Sequence, residues 1–339
     1  MCIRDRGSSA RALFALEADG VTDESDGGSD FGRRAAQLTV EGLKLGLYLA
    51  MAAIGLSLIY GTTGLSNFAH AEMVTWGMLS TYLFNWYGLA GVIGFLAPLP
   101  APLGDGANLI VAAFFGVIAG GLLGYALDRF ILRGARRAGV SVISQMVMTI
   151  GISIGIRYLY VYNFGGTPRT FKDFSAQRAW EIGPIDITPK DALAMGISVV
   201  VLVGVGLLLQ GTRIGKAMRA VADNRDLAES SGIDVQRVIT TVWVTGGALA
   251  ALGGVFFGLD QVKWDFGWRI LLLLFAAVTL GGLGTAYGAL VGALVVGLAI
   301  NLSTLWIDAE LKNMVALLLL VVILVVRPQG ILGQRERIG

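Results

Sequence analysis

One cysteine and one histidine stand in 339 residues. A disulfide needs two cysteines and a zinc-type centre a cluster of Cys and His, so neither a disulfide framework nor a His/Cys metal site is available. Charge is scarce too: Asp, Glu, Lys and Arg make up 15% of the chain, against about a quarter of an ordinary soluble domain. The net charge of +2 leaves no basic surface suited to nucleic acid. Apolar residues reach 55% and the mean hydropathy is +0.70, which leaves too few charges to coat a single water-soluble globule. What the chain has in excess is glycine, 48 residues. They show no G-X-Y period and lie inside apolar runs, which excludes collagen, argues against a flexible linker and matches the habit of membrane helices.

Uncharged stretches run over 45–71, 73–104, 106–127, 138–156, 192–212, 238–259, 270–307 and 313–326. A bilayer core needs about 20 apolar residues as helix, because a helix satisfies its own backbone groups in one pass. The run from Ile270 to Ile307 is too long for one pass, and Gly281-Gly282-Leu283-Gly284 in its middle supplies a break. The same logic predicts a first span at 42–61 and a second at 65–87, hinged at Gly61-Thr62-Thr63-Gly64, while Gly88 to Pro102 reads as re-entrant or loop. The fold class is an all-α polytopic membrane protein with eight or nine transmembrane helices, some of them broken at glycine.

With nine spans, the loops 128–137 and 211–237 and the tail from Arg327 share one side and carry twelve Lys/Arg, against seven in the loops 164–191, 259–269 and 308–312. The richer side is expected to be cytoplasmic. That puts the C-terminus inside and the N-terminus outside, although Arg33 and Arg34 pull weakly the other way. Tyr158, Tyr160 and Tyr162 suit an outer aromatic belt, with Arg157 snorkelling beside them. Residues 1–38, with seven acids, five arginines and interspersed Gly and Ser, read as a disordered acidic tail without the apolar region of a secretory signal. Within it, Met1 to Arg6 looks unrelated to the rest of the chain. The membrane-embedded body is then 39–333, and 334–339 a short C-terminal tail.

Three groups of residues stand out. Asn67, His70 and Glu72 place polar groups inside or beside the membrane, where an acidic side chain at mid-bilayer costs about 2.5–3.5 kcal/mol and therefore faces protein, water or a partner. At helical spacing Asn67 and His70 share a face and Glu72 points elsewhere. Ser66 or Asn67 as a helix cap, with Glu72 favoured near the positive end, is the plainer reading; a part in a translocation path is the sharper one. Gly116/Gly120/Gly124, Ala250/Gly254/Gly258 and Gly284/Gly288/Gly292 repeat every four residues, the spacing that lets helix backbones approach. The breaks at Gly61/Gly64 and at Gly281/Gly282/Gly284 lie one in each half, as do the broken helices that flank many transport paths.

Two enzyme signatures fail on context. Gly151-Ile152-Ser153-Ile154-Gly155 matches G-x-S-x-G, but sits in an apolar helix with the only histidine upstream. Near Gly215-Lys216 a P-loop would need Gly at 210 and Ser/Thr at 217, where Gln210 and Ala217 stand. No catalytic residue, cofactor or metal is therefore expected, and no nucleotide site. Within the loop 211–237, Gly211 to Ile233 reads instead as an amphipathic helix: Ile214, Ala217, Met218, Val221 and Ala222 form its apolar stripe, Arg213, Lys216, Arg219, Asp223, Arg225 and Asp226 surround it, and Gly232 ends it. It suits either a groove on a soluble partner or the membrane surface.

These residues resemble a family, the permease subunits of branched-chain amino-acid ABC importers. Tyr60 to Glu72 is similar to that family's Asn-Phe-Ala-His-Gly-Glu signature, Arg213 to Ile233 to its ATPase-coupling loop, Leu280 to Gly288 to its Gly-rich broken helix, and Arg327 to Gly333 to its C-terminal end. Ala71 departs from the usual glycine, which bears on close backbone packing there. The resemblance implies a multi-pass protein of the bacterial cytoplasmic membrane. It would pair with a second, similar permease, two cytoplasmic ATPases and an external binding protein, and would carry branched-chain or other hydrophobic amino acids by alternating access. It gives Asn67, His70, Glu72 and the break glycines a place at the path, and Arg213, Lys216, Arg219, Asp223 and Gly232 a place in ATPase coupling. The alternatives are a proton-coupled carrier using Glu72 and His70, a permease for urea or short amides, and an intramembrane hydrolase built on Ser153.

Overall fold

The computed structural model describes residues 27–92, 106–173, 177–327 and 329–333. Twelve α-helices succeed one another: α1 (Gly27–Thr63), α2 (His70–Val92), α3 (Leu109–Ala126), α4 (Arg133–Arg137), α5 (Val142–Phe164), α6 (Pro189–Gly211), α7 (Arg213–Asp223), α8 (Arg225–Ser230), α9 (Val235–Gly258), α10 (Phe266–Gly281), α11 (Ala286–Ser303) and α12 (Lys312–Val326). A two-stranded hairpin, β1 (Trp180–Ile182) and β2 (Ile185–Ile187), turns at Gly183-Pro184. Among the described residues six helices are long and apolar enough to cross a membrane; α10 and the body of α12 are shorter apolar helices. The buried α2 runs among them. The hairpin and the 259–265 loop lie toward one end of the bundle and α7, α8 and the turn at 282–285 toward the other, while 64–69 runs back from that end to His70, whose ring reaches the Ala52 carbonyl within α1.

What holds the passes together is backbone against backbone. On α1, a methyl group built on Gly46 would reach within 2.9 Å of the Leu294 Cα on α11, and one on Gly55 within 2.6 Å of the Gly246 carbonyl oxygen on α9. All three sequence repeats are seams of this kind: Gly120 and Gly124 of α3 lie on α9, Gly254 of α9 lies on the Val74 carbonyl of α2, and Gly292 of α11 lies on the Ala277 carbonyl of α10. Between them Tyr48, Leu49, Met51, Ile59, Met73, Trp243 and Leu274 are sealed from solvent. Lipid tails are as apolar as Leu, so association in a bilayer rests on this close packing.

Several boundaries differ from expectation. Residues 27–38 are helical, not tail: Ala35, Ala36, Gln37 and Leu38 are sound helix formers, and Gln37 ties α1 to the hairpin through two hydrogen bonds with the Asp186 backbone, at 2.9 and 3.1 Å. The remainder of that segment, and most of 88–102 and 334–339, lie outside the described residues. The first break falls at 64–69 rather than 61–64. Thr62 and Thr63 donate back to carbonyls of Leu58 and Ile59 within the last turn, and only Gly64, at φ +67°, leaves the helix. Residues 128–137, expected as a charged loop, continue α3 through a π turn at Leu127–Leu132. Asp128, fully buried there, is neutralised by Arg136 and accepts from Thr240 Oγ1 at 2.7 Å.

Gly254→Val pushes a branched side chain into the Val74 carbonyl, whereas nothing lies within 4 Å of a methyl built on Gly151. Overpacking of this kind costs about 1–3 kcal/mol. Thermal unfolding in detergent should therefore show a lowered midpoint and loss of monodispersity for Gly254→Val, and neither for Gly151→Ala.

Candidate functional site

The site begins where α1 ends. After Gly64 the chain runs without helical backbone to Asn67, whose side-chain oxygen accepts from the Ala69 amide at 3.1 Å and whose carbonyl accepts from the His70 amide at 3.2 Å. Asn67 thus caps α2 from outside it and does not share a helix face with His70, contrary to the reading from regular spacing. The Phe68 amide donates to Thr149 Oγ1 of α5 at 3.2 Å, and the Phe68 ring packs on Phe275 of α10. The irregular stretch is therefore walled by protein, the condition under which such backbone is tolerated at membrane depth.

His70 and Glu72 diverge. His70, fully buried, places Nε2 2.9 Å from the Ala52 carbonyl oxygen, toward α1. Glu72 faces α5 on the other side: Ser153 Oγ donates to its Oε1 at 3.1 Å, Arg157 Nε lies 3.5 Å from the same oxygen, and Tyr160 donates its hydroxyl to the Glu72 carbonyl at 3.0 Å. The Arg157 guanidinium also lies 4.0 Å over the Trp268 ring, and Tyr160 stacks on Trp76. The buried carboxylate thus meets a cation and one hydroxyl, with a second hydroxyl on its residue's backbone and an aromatic face behind the cation. Glu72 Oε2 and Arg157 Nη2 have no hydrogen-bond partner among the described residues.

Two expectations fall here. Arg157 turns inward to Glu72 instead of snorkelling, because a buried carboxylate is the stronger attraction. Tyr160 leaves the aromatic belt for the core at 5% exposure, while Tyr158 and Tyr162 stay outside, as two-residue steps on a helix require. The signal was present: Thr149, Ser153, Arg157 and Tyr160 recur at four, four and three residues, a polar stripe on an apolar helix.

The two glycine breaks meet. A methyl group on Gly61 would come 2.8 Å from the Gly284 carbonyl oxygen, and Ser57 donates to the Thr285 carbonyl at 3.0 Å. Gly282, at φ +117°, closes α10, and the chain after α12 returns to it: the amides of Ile331 and Leu332 donate to the carbonyls of Leu280 and Gly281 at 2.8 and 2.9 Å. Three separate segments of the sequence, 61–64, 281–285 and 330–333, form one junction. Gly64 faces open space.

The amphipathic segment at 211–233 is two helices, not one. Thr212 caps α7; Asn224, in extended conformation, ends it and caps α8, and Gly232 at φ +84° comes next. A short side chain that accepts from the Leu227 amide at 2.9 Å favours that interruption. The inward face is Gly215, Met218 and Val221. Ile214, placed in the apolar stripe by spacing, is 49% exposed, Ala222 is exposed too, and Leu227 on α8 is 64% exposed. Arg213, Lys216, Arg219 and Asp223 are arrayed around them. α7 packs on both α1 and α9.

Residues 38–324 match the family described as branched-chain amino acid transport system / permease component. The chain belongs to that family. It is 29% identical, over 88% of its length and 96% of theirs, to the high-affinity branched-chain amino acid transport system permease protein LivH of Escherichia coli K12, and 28% identical over the same shares to BraD of Pseudomonas aeruginosa. Similarity extends, at 25% identity over 74% of this chain and 73% of the relative, to the ribose import permease protein RbsC of Escherichia coli K12. No solved structure matches it. The protein is thus an all-α, multi-pass membrane permease of the LivH type.

Breaking a buried ion pair from one side typically costs about 3–5 kcal/mol, while removing both partners is far milder. Arg157→Leu should therefore lower thermal stability sharply in purified permease, Glu72→Gln less so, and the double variant should recover most of the loss. Equal midpoints for Arg157→Leu and wild type would show that the pair carries no weight.

Proposed function

We propose that the chain is the membrane-spanning subunit of an ATP-driven importer for branched-chain or other hydrophobic amino acids. It would pair with a second similar permease and be powered by two cytoplasmic ATPases and supplied by an external binding protein. Family membership and the names borne by LivH and BraD support the cargo. The observation that carries the mechanism is the contact between the Gly61 and Gly284 breaks, with α7, which is joined to α8, seated on the same helix, α1.

In this reading α7 and α8 offer the ATPases Ile214 and Leu227 as apolar anchors, ringed by Arg213, Lys216, Arg219 and Asp223. Gly215 allows α7 to fold back on the last turn of α6, since a methyl there would lie 2.5 Å from the Leu208 and Leu209 carbonyl oxygens. ATP-dependent movement of α7 is passed to α1 and α9 as rigid bodies, and the junction at Gly61, Gly281, Gly282 and Gly284 is where their cytoplasmic ends shift. Asn67, His70, Glu72 and Gly64 shape the backbone beside it. The cytoplasmic side is the one bearing α7, α8 and the C-terminus, in line with its twelve Lys/Arg. A proton carrier built on His70 and Glu72 fits less well, because the two side chains face different helices and Glu72 already has Arg157 as its counter-ion.

Leucine uptake in cells carrying the complete transporter should collapse when ATP is depleted and survive a protonophore at constant ATP. Uptake driven by a proton gradient in vesicles without any ATPase would overturn the importer reading. Charge reversal at Arg219→Glu with Asp223→Lys should reduce uptake at least about tenfold, the loss of roughly 1.4 kcal/mol of docking, while membrane insertion stays intact; unchanged uptake removes α7 from coupling.

A further inference from the structure

On the hairpin face, α1, β2, α6, α11 and α12 enclose a cavity of about 250 Å³. It is distant in the fold from the glycine junction and from Glu72. Its wall carries both signs of charge, with Glu41, Lys44 and Asp191 on α1 and α6 and Lys312 at the start of α12. Val40, Leu45 and Met195 add an apolar flank. A cavity of this size lies below the roughly 300–1,000 Å³ of sites for drug-sized ligands and suits a smaller molecule.

The decisive residue is Asp191, only 8% exposed. Its Oδ2 accepts from the Thr188 hydroxyl at 2.7 Å and lies 3.3 Å from Lys44 Nζ. Its Oδ1 has no hydrogen-bond partner among the described residues. A buried carboxylate oxygen without a donor is costly, so it marks a place where a donor from elsewhere gains most. Lys44 is already engaged, by Asp191 and by Asp260 at 3.3 Å each. Lys312, at the start of α12, also lines the cavity. An acceptor, a second cation and apolar residues around one cavity match one ligand chemistry: an ammonium, a carboxylate and an aliphatic side chain on a single carbon.

We propose that this cavity is a low-affinity site for the free zwitterion of an aliphatic α-amino acid. The ammonium is bound by Asp191 Oδ1, the carboxylate by Lys312, and the side chain by Val40, Leu45 and Met195. The choice of cargo rests on the import reading, but the site is a property of this chain alone. Asp191 lines the cavity, and Thr188 and Lys44 engage only one of its two oxygens. The site lies on the hairpin face, which the import reading makes external, and would hold cargo before the path opens.

The test uses purified permease in nanodiscs with radiolabelled L-leucine as probe. Saturable binding is expected, displaced by L-isoleucine but not by isocaproate, which lacks the ammonium, nor by leucinamide, which lacks the carboxylate. Asp191→Asn should weaken binding at least about tenfold, the loss of one charge-assisted contact. Because Asp191 also lies in the capped first turn of α6, Met195→Trp serves as a second variant that fills the cavity without touching an ion pair and should do the same. Asp265→Asn, an acid paired with Arg269 outside the cavity, should bind as wild type. Wild-type affinity in both cavity variants, equal displacement by isocaproate, or no saturable binding at all would overturn the site. If the assembled transporter still takes up leucine in cells, the import reading survives that failure; if the intact transporter takes up no aliphatic amino acid, the import reading itself fails.

Discussion

Close approach of backbones is the constraint on which every other feature of the structure depends. In lipid there is no hydrophobic gain in pressing one apolar helix on another, so passes associate only where their surfaces fit at short range. In this chain the fit is made by leaving side chains out. Gly46 seats on Leu294, Gly55 on Gly246 and Gly61 on Gly284, all along α1, so a single helix registers α11, α9 and the turn between α10 and α11 at once. The same economy on α9, where Gly247 meets Gly120 and Gly254 meets Val74, fixes α3 and α2. Glycine excess is thus an assembly code rather than a source of flexibility.

Within this glycine-packed bundle the few charges sit at three depths. Lys44, Asp191, Lys190 and Asp260 cluster on the hairpin face, Glu72 and Arg157 lie in the interior, and Asp128, Arg136 and Thr240 join α3 to α9 toward the opposite face. Asp191, Glu72 and Asp128, the buried acids among the described residues, each have a cation within reach, as the cost of an isolated charge in a low-dielectric interior demands. Such pairs add little net stability over apolar replacements, but they forbid registers in which one partner is stranded. Glycine seams are permissive about sliding by a turn; ion pairs between α2 and α5, or α1 and α6, are not.

This division explains what the sequence made legible. Passes, breaks and seams depend on local features, the absence of charge over a span and the spacing of glycine, and those survive in a one-dimensional reading. Partner identity does not. Nothing local to Glu72 names Arg157, which lies three helices further along the chain; only the Thr149, Ser153, Arg157, Tyr160 stripe announces that α5 has a polar side. The break displaced from Gly61 to Gly64 is a similar case: Thr62 and Thr63 look like turn residues until their hydroxyls are seen to serve the helix. Asn224 is the reverse, a polar residue inside an amphipathic pattern that proves to be a cap.

The junction of the two breaks gives the coupling argument its mechanical content. α7 rests on α1 and α9, and α1 ends on Gly284 through Gly61. The turn at 282–285 is in turn clasped by Ile331 and Leu332 from beyond α12. A displacement of α7 therefore has a short, continuously packed route to the end of α1, with no loop in series to absorb it. Helix interiors are stiff and their seams lack side chains that could repack, so in the proposed coupling motion would be taken up at the non-helical stretches that adjoin α1, Gly64 to Asn67 and Gly282 to Thr285. The irregular backbone and the Glu72 cluster lie side by side, since the segment 64–72, the yielding element of the proposed coupling, is also the one anchored to α5 through Thr149, Ser153 and Arg157. On this view the polar anchor holds α5 to the start of α2 while the adjoining glycine turn allows α1 to move, which divides fixed from mobile within about a dozen residues.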